Sequence, residues 1–410
     1  MQTFLPVTFL DSSRGREADS ILRSCVHCGF CTATCPTYLL TGNELDSPRG
    51  RIYLIKEMLE TETASAITRS HLDRCLSCQS CETTCPSNVQ YHHLLNTGRA
   101  YLEDKVPRSL PARGKRLLLR KGLSSPGLFN MALTLGQIFR VILPEKLKRL
   151  VPVAQHSGTW PMLQSTRRML ILNGCVQNSL SPNTNAAAAR VLARLGIQPV
   201  SLPKEGCCGA LSYHLNAQSA GLKQARQQID RLCQALDDGV EAIVSSASGC
   251  GNFIKDYAKL LAADAAYAAK AERIVVHTRD LSEILMAEDL APLKVPKSQT
   301  LAFHCPCSLQ HGQRLGGAVE TILREIGFDL SVVQDPHLCC GSAGTYSILQ
   351  PTLARQLRSN KIAALEAAQA DAIATANIGC QSHLGAATHK PVRHWIEYVD
   401  QALNAAETSC

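Results

Sequence analysis

Two cysteine runs of identical spacing lie fifty residues apart near the start of this 410-residue chain. The first is Cys25-x-x-Cys28-x-x-Cys31-x-x-x-Cys35-Pro36, and the second is Cys75-x-x-Cys78-x-x-Cys81-x-x-x-Cys85-Pro86. Two intervening residues let three thiolates wrap one face of a compact cluster. The fourth cysteine lies too far along to close the same cage and ligates the other cluster instead. The pattern predicts two 4Fe–4S clusters with crossed ligation. Cluster 1 takes Cys25, Cys28, Cys31 and Cys85, and cluster 2 takes Cys75, Cys78, Cys81 and Cys35. Pro36 and Pro86 turn the chain away from the cluster and offer no competing N–H. Zinc gathers paired cysteines into one tetrahedron, which fits two proline-closed runs of four poorly. Two such clusters imply one-electron transfer.

The stretch between the runs reads as a helix. Ser47 is a candidate N-cap with Pro48 at the first helical position. Ile52, Tyr53, Ile55, Met58 and Leu59 then recur at helical spacing. A helix-bearing insert predicts an α-helical ferredoxin domain. Arg49 and Arg51 can offset the negative charge of a thiolate-ligated cluster, or simply form a solvated face.

The remainder carries an internal duplication. Apolar runs end at Cys175 (MLILNGC) and at Cys307 (LAFHCPC), and helical stretches follow, ending VLARLGI and ILREIGF. Cys207-Cys208-Gly209 and Cys339-Cys340-Gly341 each come 32 residues after the first cysteine, and Cys250 and Cys380 close the copies. Offsets of 132, 132 and 130 residues between these landmarks define the repeat. Alternating apolar runs and helical stretches predict α/β units with mostly parallel sheets. The cysteines then fall at strand carboxyl ends, where such sheets place their sites. Cys175, Cys207, Cys208 and Cys250 are expected to converge, as are Cys307, Cys339, Cys340 and Cys380. Each tetrad has three readings: a further iron–sulfur or zinc site, a redox dithiol, or small apolar packing. Gly209 and Gly341 would let the backbone pass close to whatever is bound. Cys233, Cys305 and Cys410 fall outside the repeat and read as free thiols. His214 and His304 lie near the tetrads and have two readings: a reach to a bound ligand, or, the preferred one, a satisfied local histidine.

The fold class is therefore α+β multidomain: an N-terminal α-helical ferredoxin domain, then two repeated α/β Cys-Cys-Gly domains. The expected segments are 1–104, a basic linker with an apolar helix over 105–167, and repeats over 168–298 and 299–410. From Lys105 to Arg168 there are thirteen Lys or Arg and one acid, Glu145, so the net charge of +8 reflects one patch. Aromatic residues make up only 5% of the chain. A confined patch without stacking surfaces argues against nucleic-acid binding. Within the patch, Leu128–Leu143 is apolar apart from a stripe of Asn130, Thr134, Gln137 and Arg140. Flanked by Arg120, Lys121, Lys146, Lys148 and Arg149, it suits a membrane interface, a partner subunit or the protein's own core. Free cluster thiolates need a reducing compartment, and the N-terminus shows no signal-peptide pattern. The expected location is the cytoplasm, at the cytoplasmic face of the inner membrane.

Several stretches then carry a family resemblance: ADSILRSCVHCGFCTATCPTY, SPRGRIYLIK, HLDRCLSCQSCETTCPS, LSPNTNAAAARVLARLGI, LAFHCPCSLQH, HLCCGSAGTY, TANIGCQSHL and VRHWIE. Over nearly its whole length the chain resembles glycolate oxidase iron–sulfur subunits. They belong to the broader group of flavin-linked dehydrogenase subunits with paired ferredoxin runs and two Cys-Cys-Gly domains. The resemblance implies two FAD-linked oxidase-type partner subunits that oxidise glycolate, and D-lactate, to the 2-oxo acid. This chain would pass electrons from their flavin towards a quinone. FAD is expected only on the partners, since no Gly-rich dinucleotide fingerprint follows a strand here. Alternatives are a subunit of a D-lactate or glycerol-3-phosphate dehydrogenase, or a catalytic subunit like that of heterodisulfide reductases. Some relatives hold unusual clusters through five cysteines ending in Cys-x-x-Cys. Here Ala247 and Asn377 stand at the first position of that pair.

Overall fold

The computed structural model describes residues 1–144, 148, 151–203, 205–296 and 299–408. Lys146, Arg149 and Cys410 lie outside the described residues.

The two cysteine runs sit in a helical N-terminal unit built on α1 (Ser13–Ser24), α2 (Pro48–Glu60) and α3 (Tyr91–Lys105). The Ser47 hydroxyl accepts from Gly50 N–H at 2.9 Å, and Pro48 opens α2, as the sequence predicts. Ile52, Ile55, Met58 and Leu59 are buried against Leu22 of α1 and Leu94 and Leu95 of α3. Tyr53 departs from that set: it points outward, one residue round the helix from Ile52.

The basic segment forms α4 (Leu110–Ser124) and α5 (Pro126–Ile138), followed by a 3-10 turn over Phe139–Ile142. Part of its charge is consumed internally. Asp73 receives Arg108 at 2.6 Å and Arg116 at 3.2 Å. Helix α5 is inverted relative to a helix packed on its own core. Gln137 and Arg140, from its polar stripe, donate to the carbonyls of Pro152 and Val151 at 3.3 and 3.0 Å. Leu128, Met131, Leu135 and Ile138 instead form an exposed apolar face. Burial in this chain's own core is thereby excluded, because α5 has no buried residue. Among the described residues no helix is long and apolar enough to cross a membrane.

Each repeat contains a four-stranded parallel sheet. Strands β1 (Arg168–Ile171), β2 (Gln198–Val200), β3 (Ala242–Ser245) and β4 (Thr278–Asp280) stand in the order β2-β1-β3-β4. Strands β5 (Thr300–His304), β6 (Asp329–Ser331), β7 (Ala372–Thr375) and β8 (Val392–His394) repeat it as β6-β5-β7-β8. In register, Leu170 faces Ile243 and Leu301 faces Ala372. These central strands are covered on both faces, which is why they read as continuous apolar runs.

Helix α6 (Pro182–Arg194) leads from β1 towards β2, α7 (Ser248–Lys255) follows β3, α8 (Ile378–Gly385) follows β7, and α9 (Trp395–Thr408) ends the described chain. Helices α6 and α9 pack together, so both repeats share one apolar core. Glu397 on α9 is buried at that seam. It accepts from Thr184 Oγ1 at 2.6 Å, Ser181 Oγ at 3.1 Å and Gln155 Nε2 at 3.1 Å. Arg190 pairs with Asp400 at 2.7 Å beside it. A carboxylate this deep is tolerable because its oxygens are saturated with donors.

Candidate metal–sulfur centres

Two cavities open between the cysteine runs. Cys35, Cys75, Cys78 and Cys81 line one of about 380 Å³, counting its mouth. Cys25, Cys28, Cys31 and Cys85 line the other, of about 430 Å³, with Cys81 on the shared wall. Cys35 thus stands with the second run and Cys85 with the first. Pro48 and Tyr91 line both cavities, so one layer of side chains separates them.

Local backbone geometry explains how each run folds inward. The turns between successive cysteines place His27, Gly29, Ser77 and Gln79 in the left-handed region, at equivalent positions fifty residues apart. At Gly29 (φ +87°) the left-handed backbone favours glycine, and a Cβ there would also displace the Arg49 guanidinium, 2.8 Å away. Cys35 directly precedes the short helix Pro36–Thr41, so Pro36 opens a helix where the sequence promised only a turn.

The cavity chemistry fits iron–sulfur clusters. All eighteen described cysteines are free of disulfides. Burial pushes the Cys31 thiol up to about 11, and also raises Cys25, Cys35 and Cys81. Thiols so placed become thiolates only when a bound cation compensates the desolvation.

The two arginines flanking this site differ. Arg49 is partly exposed, pairs with Glu44 at 2.8 Å and lines the Cys25 cavity. Arg51 is almost wholly buried and lines the Cys35 cavity. It donates to the His71 carbonyl at 2.8 Å and to Thr37 Oγ1 at 3.1 Å, and lies 3.5 Å from buried Asp46. Asp46 also meets His71 Nδ1 at 2.8 Å and Arg74 at 3.0 Å. Arg99, which no motif singles out, clamps the second run. It donates to Leu72 and Cys75 carbonyls at 2.8 Å and to Ser77 Oγ at 3.0 Å.

Each repeat tetrad assembles at the carboxyl ends of its strands. In repeat 1, sulfur contacts run from Cys175 to Cys207, from Cys207 to Cys208 and from Cys208 to Cys250. Hydrogen bonds from Cys175 and Cys208 hold the Cys207 thiol well below the usual range. In repeat 2 they run from Cys307 to Cys339, then Cys340, then Cys380. Cys307 also touches Cys78 of the N-terminal unit, joining that tetrad to the Cys35 cavity.

Other details of the repeats depart from expectation. Gly209 and Gly341 are left-handed, but each presses on the chain's own backbone: a Cβ would meet the Gly221 carbonyl oxygen at 2.4 Å and that of Ala354 at 2.7 Å. His214 stacks edge-on with Tyr213 and Phe253. His304 is not a satisfied histidine: neither ring nitrogen has a hydrogen-bond partner among the described residues. Asn377 caps α8 by accepting from Gly379 N–H at 2.8 Å, and donates across the seam to Ser248 Oγ at 3.2 Å. Ala247 is buried. Neither position offers a fifth thiolate.

Comparison with known proteins agrees with this architecture. Residues 21–89 match the 4Fe-4S dicluster domain, and residues 169–255 and 301–385 match the Cysteine-rich domain. The chain is 53% identical to the Glycolate oxidase iron-sulfur subunit of Escherichia coli K12, over 98% of this chain and 99% of that one. It is 31% identical to the Probable glycolate oxidase iron-sulfur subunit of Bacillus subtilis 168, over 89% and 88%. A crystal structure of a hypothetical protein from Helicobacter pylori shares the fold, with a TM-score of 0.57 at 10% identity, over 97% of this chain and 74% of that one. With its dicluster domain followed by two cysteine-rich domains, the chain belongs to the family of glycolate oxidase iron–sulfur subunits.

Proposed function

We propose that this chain is the electron-transfer subunit of a glycolate-oxidising complex, and that it carries electrons from flavin on two partner subunits towards a quinone. The observation that carries this reading is the pair of adjacent four-cysteine cavities in a chain without a dinucleotide fingerprint. Oxidising glycolate to the 2-oxo acid releases two electrons and two protons, and bound 4Fe–4S clusters supply one-electron acceptance. The chain's own residues hold the clusters: Cys25, Cys28, Cys31 and Cys85 in one cavity, Cys35, Cys75, Cys78 and Cys81 in the other. The Cys25 cavity is the outer one. Cys28 is exposed there, as are Val26 and Phe30 beside it. That apolar rim suits docking of the flavin-bearing partners. The Cys35 cavity lies inward, against Cys307. The segments 1–104, 105–167, 168–298 and 299–410 then divide into cluster domain, linker and two repeats.

The test is anaerobic addition of glycolate to the three-subunit complex. Glycolate should bleach the iron–sulfur absorbance and produce reduced-cluster EPR signals. Partner subunits that reduce a quinone analogue at full rate without this chain would contradict the reading.

The exposed face of α5 is proposed as the contact of the assembled complex with the cytoplasmic face of the inner membrane. Each apolar side chain it buries there contributes about 1.5–3 kcal/mol. Leu128→Gln, Leu135→Gln and Ile138→Gln together should leave bound iron unchanged, because none of these residues lines a cluster cavity. Recovery of the complex with membranes should fall several-fold. Undiminished recovery would remove the membrane role.

A further inference from the structure

His304 ends β5 in the second repeat. It is 2% exposed, and both of its ring nitrogens lack a hydrogen-bond partner among the described residues. Burying a bare imidazole is costly, so the position calls for a ligand. One ring nitrogen of His304 and the sulfurs of Cys340 and Cys380 lie within 4.8 Å of one another. The Cys340 and Cys380 sulfurs are 3.3 Å apart. Two thiolates on one zinc ion, each at about 2.3 Å, stand about 3.8 Å apart in a tetrahedron. Thiolates on separate irons of a cube stand much further apart. The pair is therefore spaced for a single ion. Cys339 stands beside this trio and outside it: its sulfur adjoins that of Cys340 but accepts from Gly341 N–H at 3.4 Å.

We propose that the second repeat binds one zinc ion through His304, Cys340 and Cys380. One nitrogen and two sulfurs, all buried and with no oxygen donor, supply three corners of the tetrahedron that zinc prefers, leaving the fourth to water or a further donor. Thr375 faces His304 across the β5–β7 pairing, and its buried hydroxyl is also without a partner. It stands ready to take the second ring nitrogen, as outer partners of metal-bound histidines do. Cys307 is left against Cys78 and outside the ion's shell. The first repeat cannot repeat this site. The residue 132 positions before His304 is Leu172, buried in an apolar cluster. The duplicated domains have therefore diverged in what they hold.

The test is metal analysis of the full chain, purified anaerobically from zinc- and iron-replete cells. About one zinc per chain is expected beside the cluster iron. His304→Leu, which installs the first repeat's residue, should lose the zinc and keep the iron. Cobalt(II) exchanged into the wild-type chain should show tetrahedral bands with thiolate charge transfer, absent in His304→Leu. Should His304→Leu lose iron as well, His304→Cys decides the matter, since it replaces one zinc ligand by another. Retained zinc with an altered cobalt spectrum supports the site, and lost zinc overturns it. A wild-type chain that takes up neither zinc nor cobalt overturns it too. So does zinc retained in His304→Leu, or loss of iron in place of zinc from Cys380→Ser.

Discussion

Replacing Cys85 with serine should halve the iron in this protein, from about eight atoms to about four per chain, and should reduce glycolate-driven electron flow through the complex to background. Cys85 lies in the cavity of Cys25, Cys28 and Cys31, although it belongs to the other run. Among the described residues no spare thiol lines that cavity. Cys81 stands on the shared wall, but the Cys35 cavity already uses it. A serine hydroxyl is a harder and more weakly acidic donor than a thiol, and it cannot replace a soft thiolate at iron. The neighbouring cavity keeps its four cysteines, so half the iron remains. Iron analysis and EPR of the anaerobically purified chain provide the check. Full iron content would mean that Cys85 is not a ligand.

The second large effect is expected at Arg51. Its guanidinium is sequestered beside Asp46, and its donors are spent on the His71 carbonyl and Thr37. Removing one partner of a buried charge pair typically costs about 3–5 kcal/mol. Arg51→Met leaves Asp46 with His71 and the partly exposed Arg74 alone. The iron–sulfur chromophore should therefore be lost at markedly lower temperature. The charge has a second consequence. A cation at the Cys35 cavity favours the reduced, more negative state of whatever the thiolates ligate. In Arg51→Met the midpoint potential of that cluster should move negative. Arg51→Lys separates the two effects, because it keeps the charge but loses the planar fork. It should lower stability while leaving the potential near wild type. A redox titration followed by EPR distinguishes them. An unchanged potential in Arg51→Met would show that the arginine only holds the fold.

What the sequence revealed follows from the range of the forces involved. Metal ligation imposes fixed short spacings, so the runs at Cys25–Cys35 and Cys75–Cys85 were legible at once. Capping is equally local, and Ser47-Pro48 marked the start of α2. The Cys-Cys-Gly repeat showed itself by constant offsets, and its cysteines do lie after the ends of parallel strands. The hidden features depend on how distant segments dock. Cys78 and Cys307 meet only because the helical unit sits on the second repeat. Asp46, His71 and Arg99 carry no motif and act through backbone carbonyls and buried pairs. The stripe on α5 marked the helix but left open which side faces inward, which is decided by its polar residues meeting carbonyls at residues 151 and 152. His304 looked ordinary because a lone histidine has no pattern. Only burial without a partner makes it conspicuous.

The central claim is that two clusters are held by ligands exchanged between the runs. Two double variants test it directly. In the Cys25→Ser background only the second cluster should remain. Adding Cys35→Ser should then remove that remaining iron, whereas adding Cys85→Ser should leave about four irons per chain in place. The reverse result, with iron surviving Cys35→Ser and vanishing with Cys85→Ser, would show that each run closes its own cage and would contradict the account.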